Sequence, residues 1–211
     1  PIAEISSDGS FILTKPKNTG GIVNVSTVTE QMLYEIGDPQ KYILPDVVCD
    51  FSNVQLTEVA ENRVKVVGAK GYPSTDSLKV SMTFLDGFRG GQILLFYGFN
   101  ADKKAREFAK NAIKRAEGRL ECEQLQTYTE TLVEVIGDES HYGEQKSIDA
   151  SREVSVKIAA KHSKKIAIEI LFQEIIGLAL AAPPGLTGFA GTRPKPSPVV
   201  RLFSFLVDKK F

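Results

Sequence analysis

The stretch QILLFYGFNADKKAREFAKNAIKRAEG, residues 92–118, decides the fold because it joins an apolar strand to an amphipathic helix. Gln92 to Tyr97 is a continuous apolar run of strand length. Apolar residues then recur at helical spacing on one face, while Lys and Arg fill the other face. We expect this helix to end at Gly118, because glycine is common just beyond a helix C-terminus.

Downstream of this stretch the pattern continues as strand, strand, helix and strand. The segments are Thr127–Ile136, the alternation at Val154, Val156 and Ile158, the apolar helix Ile166–Leu180, and Val199–Val207. The order β-α-β-β-α-β is typical of a ferredoxin-like layer, an antiparallel four-stranded sheet with two helices on one face. We therefore predict an α+β fold in which residues 92–207 form a ferredoxin-like βαββαβ layer.

Upstream of residue 92, a further strand is predicted over residues 78–85. Leu78, Val80, Met82 and Phe84 alternate with polar residues, as in a half-buried strand. Asp86-Gly87 and Gly90-Gly91 separate this strand from the run at Gln92. We expect it to pair at an edge of the sheet.

Residues 1–77 predict a β-rich segment with one short helix. A hairpin turns at Ser7-Asp8-Gly9, a helix spans about residues 26–36, and strands follow at 47–51, 54–59 and 64–68. Together with residues 78–211 it is expected to form one compact unit, since 211 residues suit one large domain or two small ones.

The loop Thr19-Gly20-Gly21 before the short helix is a candidate anion site. Ser26 or Thr27 can cap this helix, and Glu30 stands three residues after Thr27, as in a capping box. A glycine loop before a helix leaves backbone N–H groups free to bind phosphate or carboxylate. The alternative is a tight turn that leads into a capped helix, and the spacing matches neither a P-loop nor a dinucleotide motif.

Two further segments carry candidate ligand contacts. Asp86 and Arg89 can pair with each other across a turn, or Arg89 can bind a carboxylate or phosphate through its two-pronged guanidinium. The Gly-rich loop Pro183–Gly191, with Gly185, Thr187 and Gly188, can wrap a ligand or another domain. Its alternative is a helix stop followed by a crossover to the last strand.

The remaining polar residues assign no reaction. His141 lies in the polar loop 137–151, and His162 follows a strand and can cap the next helix, so the two histidines form no metal motif. No nucleophile–base pair and no hydrolase elbow can be read from the chain. Whether the protein is an enzyme is therefore left open.

The amino-acid composition limits which binding partners and which cellular compartment are expected. The 26 basic and 26 acidic residues cancel, which argues against nucleic acid as a partner, and no apolar run reaches the length of a membrane span. Cys49 and Cys122 are expected to be reduced. With no charged-then-apolar leader, no secretory signal is expected, and a cytoplasmic or mitochondrial matrix setting is favoured.

Several motifs, taken together, resemble the acyclic terpene utilisation family of AtuA-like proteins. The resemblance is carried by Thr19–Gly21, Thr27–Pro39, Tyr42, Pro45–Val48, Leu78–Ser81, Asp86–Arg89 and Pro183–Phe189. These motifs occur in order and span nearly the whole chain. They match the later half of the family's main domain, so the resemblance implies that an N-terminal Gly-rich α/β half is missing and that the chain is a fragment.

This resemblance implies a role in the breakdown of acyclic terpenes or branched acids, whose intermediates are acyl-CoA thioesters. A CoA thioester is then the ligand expected, with no other cofactor assigned. The expected contacts are Thr19, Gly20, Gly21, Thr27, Glu30, Asp86, Arg89, Gly185, Thr187 and Gly188, completed by the missing N-terminal half as partner. The alternative is a non-catalytic assembly or interaction module, and a homo-oligomer fits either function.

Overall fold

The chain forms two compact units in a computed structural model that describes residues 1–147, 149–188 and 193–210. The first unit is Pro1–Ser81 with Ser204–Phe211, and the second is Met82–Phe203. Residues 204–211, which the sequence pattern assigns to the second region, therefore belong to the first unit.

The first unit contains two small antiparallel sheets and one helix. Its elements are β1 (Ile2–Ile5), β2 (Phe11–Thr14), α1 (Val25–Leu33), β3 (Tyr42–Ile43), β4 (Val47–Asp50), β5 (Gln55–Ala60), β6 (Arg63–Val67) and β7 (Lys70–Pro73). One sheet has the order β1-β2-β6-β5 and the other the order β3-β4-β7. The predicted hairpin and the three predicted strands are present, whereas β3 and β7 are too short to leave a periodic signal.

A small apolar core holds the first unit together. Val28 of α1 packs against Val64 and Val66 of β6, and all three side chains are buried. Alternation in β6 places these two valines on one face of the sheet, where α1 covers them. The helix thus contributes burial through one face only, and its remaining residues are available to solvent.

The second unit is one antiparallel sheet with two helices. Its elements are β8 (Ser77–Tyr97, which starts in the first unit), α2 (Ala101–Cys122), β9 (Glu130–Ile136), β10 (Glu153–His162), α3 (Lys165–Ala179), β11 (Leu186–Gly188) and β12 (Ser197–Asp208, which ends in the first unit). A short 3-10 turn, Gly143–Gln145, lies between β9 and β10. The sheet order is β11-β8-β10-β9, and β12 also pairs with β8.

Strand β8 runs without a break through both predicted glycine boundaries, so the prediction of two separate strands is wrong. Gly87 has a φ of +87°, and a Cβ there would lie 2.6 Å from the backbone oxygen of His162. A Cβ at Gly90 would lie 2.5 Å from Ile168 of α3. These glycines therefore allow close packing of neighbouring elements inside one strand.

Both helices pack against the sheet and against each other. The core is formed by Leu94 and Phe96 of β8, alternate residues of β10, an alanine-rich stripe of α2 and the apolar side chains of α3. The opposite side of the sheet, which carries Arg89, Gly91 and Ile93 of β8, is called the open face below. The predicted α+β class with antiparallel sheets is confirmed, with three α-helices in the described part of the chain. No helix within the described ranges is both long and apolar enough to cross a membrane.

Helix α2 extends one turn beyond its predicted end. It continues through Gly118 to Cys122, and the N–H of Glu123 donates to the Arg119 carbonyl at 3.0 Å. Gly118 is thus an interior helical residue, and no heavy atom lies within 4 Å of the position its Cβ would take.

Gly118→Ala is therefore expected to stabilise the protein. Alanine loses less backbone entropy than glycine in a helix, which is worth about 0.5–1 kcal/mol. Urea unfolding followed by circular dichroism would measure the change. A decrease in the free energy of unfolding would show that Gly118 has a packing role that the open space around it does not reveal.

Candidate functional site

The start of α1 differs from the predicted capping box. Asn24 is the N-cap, and its Oδ1 accepts from the Thr27 N–H at 2.9 Å. In return the Thr27 hydroxyl accepts from the Asn24 N–H at 3.1 Å. The prediction that Ser26 or Thr27 caps the helix with Glu30 as the third residue is wrong, because Asn24 is the cap and Thr27 is the third residue, so the box lies three residues earlier.

Two further backbone N–H groups at this helix start have side-chain partners within the chain. The Val25 N–H donates to the Glu58 carboxylate at 3.1 Å, and the Val23 N–H donates to the Asn62 side-chain oxygen at 3.0 Å. A carboxylate of the protein itself therefore lies where a ligand anion was expected. An anion that binds the Val25 N–H would have to displace Glu58.

The loop Thr19-Gly20-Gly21 is an exposed turn held by local hydrogen bonds. The Thr19 hydroxyl donates to the Pro16 carbonyl at 2.8 Å, and Lys15 donates to the Thr19 carbonyl at 2.7 Å. Gly21 has a φ of +84°, which favours glycine, and space around Gly20 is open. Glu30 is exposed on α1. These residues, with Thr27, all lie in the first unit.

On the open face of the second unit lies a groove of about 980 Å³ with a basic rim. We call it the cationic groove. Its rim carries Arg89, Lys157, Lys161, Lys195 and Arg201, and its floor carries Gly91, Ile93, Leu132 and Ala159. Strand pairing explains the floor, because Gly91 of β8 lies opposite Ala159 of β10, which lies opposite Leu132 of β9. Two small residues side by side leave a depression between larger neighbours.

Asp86 neutralises part of the rim but does not pair with Arg89. Its carboxylate accepts from Lys161 at 2.6 Å and from Arg201 at 3.2 Å. The hydrogen bond from Lys161 holds the pKa of Asp86 below its ordinary value, partial desolvation opposes this, and the bond from Arg201 adds to it. Of the two alternatives for this segment, the Asp86–Arg89 pair is therefore not formed, and Asp86 has two partners from other strands.

Arg89 remains available to a ligand. Its side chain is exposed, and it makes no hydrogen bond or ion pair with the residues that the structure describes. Lys157 pairs with Glu134 at 2.7 Å, and that hydrogen bond lowers the pKa of Glu134. Lys161 also approaches Glu130 at 3.5 Å. The five cations of the rim therefore exceed the nearby carboxylates of Asp86, Glu130 and Glu134, and the groove is positively charged.

The Gly-rich segment after α3 is attached to β8. Gly185 has a φ of +107°, and its carbonyl accepts from the Tyr97 N–H at 2.9 Å. Thr187 pairs with Leu95, which places its side chain on the open face, and Gly188 pairs with Leu94. The remaining predicted part of this loop, Phe189–Gly191, lies outside the described residues. Gly185 therefore has a packing role, whereas Thr187 shares the face of the cationic groove.

The histidines have structural surroundings. His162 is buried, its Nδ1 accepts from the Lys164 N–H at 2.8 Å, and its Nε2 lies 3.0 Å from the Gln126 carbonyl. It therefore holds the backbone of Lys164 just before α3, but no side chain caps the helix itself, so the predicted helix cap by His162 is wrong. His141 is exposed, with Nδ1 3.8 Å from Glu134. Within the described residues, no three His, Cys, Asp or Glu side chains are grouped to hold a metal ion.

Most of the rim residues were not among the predicted site residues. Lys157, Ala159 and Lys161 alternate with the buried Val156, Ile158 and Ala160, so the spacing itself indicates two lysines on one face of a strand. Their convergence with Arg89 and Arg201 depends on the lateral order of the strands. Residues more than a hundred positions apart in the chain line the same groove.

Comparison with known proteins gives one match. The family model described as acyclic terpene utilisation family protein AtuA matches residues 1–211. Neither the curated proteins nor the solved structures include a match. Since the family model covers the whole chain, this protein belongs to the acyclic terpene utilisation family, AtuA.

Proposed function

We propose that the cationic groove binds an acyl-CoA thioester or a related anionic intermediate in the breakdown of acyclic terpenes or branched acids. Family membership supports the metabolic setting. The observation that carries the proposal is the combination of a basic rim, in which Arg89 pairs with no described residue, and a small-residue apolar floor.

The groove suits a ligand with an anionic end and an apolar chain. A guanidinium binds phosphate or carboxylate through two parallel hydrogen bonds, and Arg89 has this fork free. Ligand pockets are mostly apolar with a few polar groups that fix orientation. Gly91 and Ala159 leave room for a chain between Ile93 and Leu132, while the excess positive charge attracts the anion.

This proposal assigns binding to the chain and leaves the reaction centre to a further part of the same protein. The rim offers cations for charge stabilisation, and among the described residues none of its side chains is paired as a nucleophile with a base. We further propose that the loop Thr19–Gly21, with Thr27, Glu30 and Gly188, contributes contacts when that part is present. The open space at Gly20 supports this.

Arg89→Ala is expected to weaken binding of a branched long-chain acyl-CoA about tenfold. A hydrogen bond to a charged group contributes about 1.5–3 kcal/mol when buried, and the lower end applies at this exposed site. Isothermal titration calorimetry would measure the change, with free CoA and a long-chain carboxylic acid as separate ligands. Weakening for both acyl-CoA and free CoA would assign Arg89 to the phosphates, and weakening for the carboxylic acid alone would assign it to a carboxylate.

Lys110→Ala is the matched control, because Lys110 is an exposed cation on α2 of the same unit and away from the groove. It removes the same charge and is expected to leave the affinity unchanged. Equal affinities of the parent chain and the Arg89→Ala variant for every ligand would refute the groove as the anion site.

We also infer that β8, α2, β9, β10, α3 and β12 correspond to a ferredoxin-like βαββαβ layer. The lateral order β12-β8-β10-β9 supports this inference, as do the antiparallel pairings of β10 with β8 and β9. Contacts of α2 and α3 with each other and with β10 support two helices on one face. We further propose that residues 1–77 and residues 78–211 act as two functional regions. These bounds differ from those of the two compact units, because residues 204–211 belong to the first unit.

A second candidate function is a non-catalytic assembly module. Large apolar side chains are exposed along the part of β8 that precedes the cationic groove, including Met82, Phe84 and Leu85. Contiguous exposed apolar surface is typical of interaction sites. This function and ligand binding use different residues, so variants in one set can leave the other intact.

A further inference from the structure

Three cations at one end of the cationic groove come from three strands of the same sheet. Lys161 of β10 lies directly opposite Arg89 of β8. Residues opposite each other in an antiparallel pair share a face, with Cβ atoms about 4.5–5.5 Å apart. Arg201 comes from β12, which also pairs with β8, and all three side chains line the groove. This end of the groove therefore concentrates positive charge.

Lys161 and Arg201 share a single carboxylate oxygen outside the groove. Lys161 Nζ, at 2.6 Å, and Arg201 Nη1, at 3.2 Å, both donate to Oδ2 of Asp86. Strict alternation would place Asp86 and Arg89 on opposite faces, but the φ of +87° at Gly87 interrupts the alternation between them. Asp86 thus reaches two groove cations from beyond the lining residues, and both cations are turned towards it.

We propose that Arg89, Lys161 and Arg201 form a phosphate subsite, and that Asp86 is an internal competitor which a phosphate group of the ligand displaces. This inference rests on the proposed function. It assigns the phosphate-bearing part of the ligand, and not a carboxylate, to this end of the groove.

The number and spread of the donors favour phosphate over carboxylate. A carboxylate has two oxygens in one plane, so the fork of Arg89 alone satisfies it. A phosphate monoester has three terminal oxygens and a charge of about −1.5 to −2 at pH 7, and a diphosphate likewise carries more than one charge. Such a group can bind Arg89 and still offer Lys161 and Arg201 more negative charge than the single carboxylate of Asp86.

The exchange of partners requires only side-chain movement. Lys161 has three donors on a flexible four-carbon stem, so its ammonium can turn from Asp86 into the groove. Ion pairs at partly exposed positions contribute little stability, and Asp86 and Arg201 are partly exposed and exposed, respectively. Glu130 also approaches Lys161, at 3.5 Å, but its side chain is 73% exposed and it competes less.

Asp86→Asn is expected to raise the affinity for free CoA and for inorganic pyrophosphate about tenfold. The two cations no longer have to leave a charged partner, and a hydrogen bond to a charged group is worth at least this factor. The affinity for a long-chain carboxylic acid is expected to change less than about threefold, because Arg89 alone holds that group. Calorimetric titration at fixed pH and ionic strength measures all three ligands.

Glu130→Gln is the matched control, because it removes the same charge beside the same lysine without freeing Arg201. It is expected to change each affinity less than about twofold. Dephospho-CoA, which lacks the terminal phosphate, separates the two sources of phosphate. A tenfold gain in Asp86→Asn for CoA and dephospho-CoA alike assigns the diphosphate to the subsite, and a gain for CoA alone assigns the terminal phosphate.

Three results would overturn the proposal. They are an unchanged affinity of Asp86→Asn for CoA and pyrophosphate, an equal gain in Glu130→Gln, and an equal gain for the carboxylic acid. Each leaves the proposed function standing if Arg89→Ala still weakens acyl-CoA binding. If Arg89→Ala has no effect either, the groove is not the anion site and both proposals fail.

A pH titration of the unaltered chain gives a second measurement that does not depend on a variant. The hydrogen bond from Lys161, and to a lesser extent that from Arg201, holds the pKa of Asp86 below its ordinary value. Saturation with pyrophosphate is expected to raise this pKa, because both cations leave Asp86 and an anion takes a place nearby. NMR of the side-chain carboxyl carbon measures it. A pKa of Asp86 that is the same with and without bound pyrophosphate would contradict displacement.

Discussion

Gly185→Ala is expected to lower the free energy of unfolding by about 3 kcal/mol, because two costs combine at this position. Gly185 has a φ of +107°, where residues with a Cβ are strained, and the Cβ would lie 2.2 Å from the Tyr97 carbonyl oxygen. That oxygen belongs to β8 and accepts from Lys104 at 3.0 Å, so it cannot move without loss of a further contact. A shift of about 6–12 °C in the melting temperature follows for a chain of this size.

Gly188→Ala is the matched control in the same segment. No heavy atom lies within 4 Å of the position its Cβ would take. We expect the change in stability to stay within about 0.5 kcal/mol. Differential scanning calorimetry of the parent and both variants would measure the two changes. Equal melting temperatures for Gly185→Ala and Gly188→Ala would contradict the packing role given to Gly185.

Periodicity alone was sufficient for the order of the larger elements. The alternation in β10 and the helical spacing of α2 and α3 identify their type correctly, because each buries one face against the same core. Short pieces such as β3, with two residues, carry no periodic signal. Their formation depends on partners distant in sequence, which local patterns do not contain.

Glycine residues are where the structure departs most from the sequence pattern. At Gly118 and at Gly90 it was taken as a boundary, yet both lie inside regular elements. The rule that glycine marks a boundary considers only the conformational freedom of its backbone. At Gly90 the glycine is needed instead because Ile168 of α3 approaches closely. A glycine that ends a helix and a glycine that allows close packing of another element cannot be told apart from the sequence alone.

The candidate site could be predicted only in part for a related reason. The prediction of Arg89 as a ligand contact came from its own segment, but its neighbours Lys161 and Arg201 come from β10 and β12. A pair between Asp86 and Arg89 was the alternative, and instead Lys161 and Arg201 pair with Asp86. The guanidinium of Arg89, on which the proposed function rests, is unpaired among the described residues because the order of the strands brings Lys161 and Arg201 to Asp86. No single sequence motif contains this information.

Ala159→Phe is expected to reduce acyl-CoA affinity about 50-fold while leaving the affinity for free CoA within twofold. Ala159 lies in the floor of the cationic groove, opposite Gly91, and phenylalanine would fill the depression between them. Excluding about 100 Å² of the acyl chain at ~25 cal/mol per Å² costs about 2.5 kcal/mol. The rim cations are unchanged, so the anionic end of the ligand keeps its contacts.

The variant should fold normally, because Ala159 faces the open side of the sheet and an aromatic ring over a cross-strand glycine supports strand pairing. Ala159→Ser is the control, since it alters polarity slightly and keeps the space free. Calorimetric titrations with acyl-CoA and with free CoA separate the two parts of the site. If Ala159→Phe weakens both ligands equally, the ring disturbs the rim and the floor has no separate role. If it weakens neither, the acyl chain does not lie in this groove, and the groove's ligand is an anion without an apolar chain.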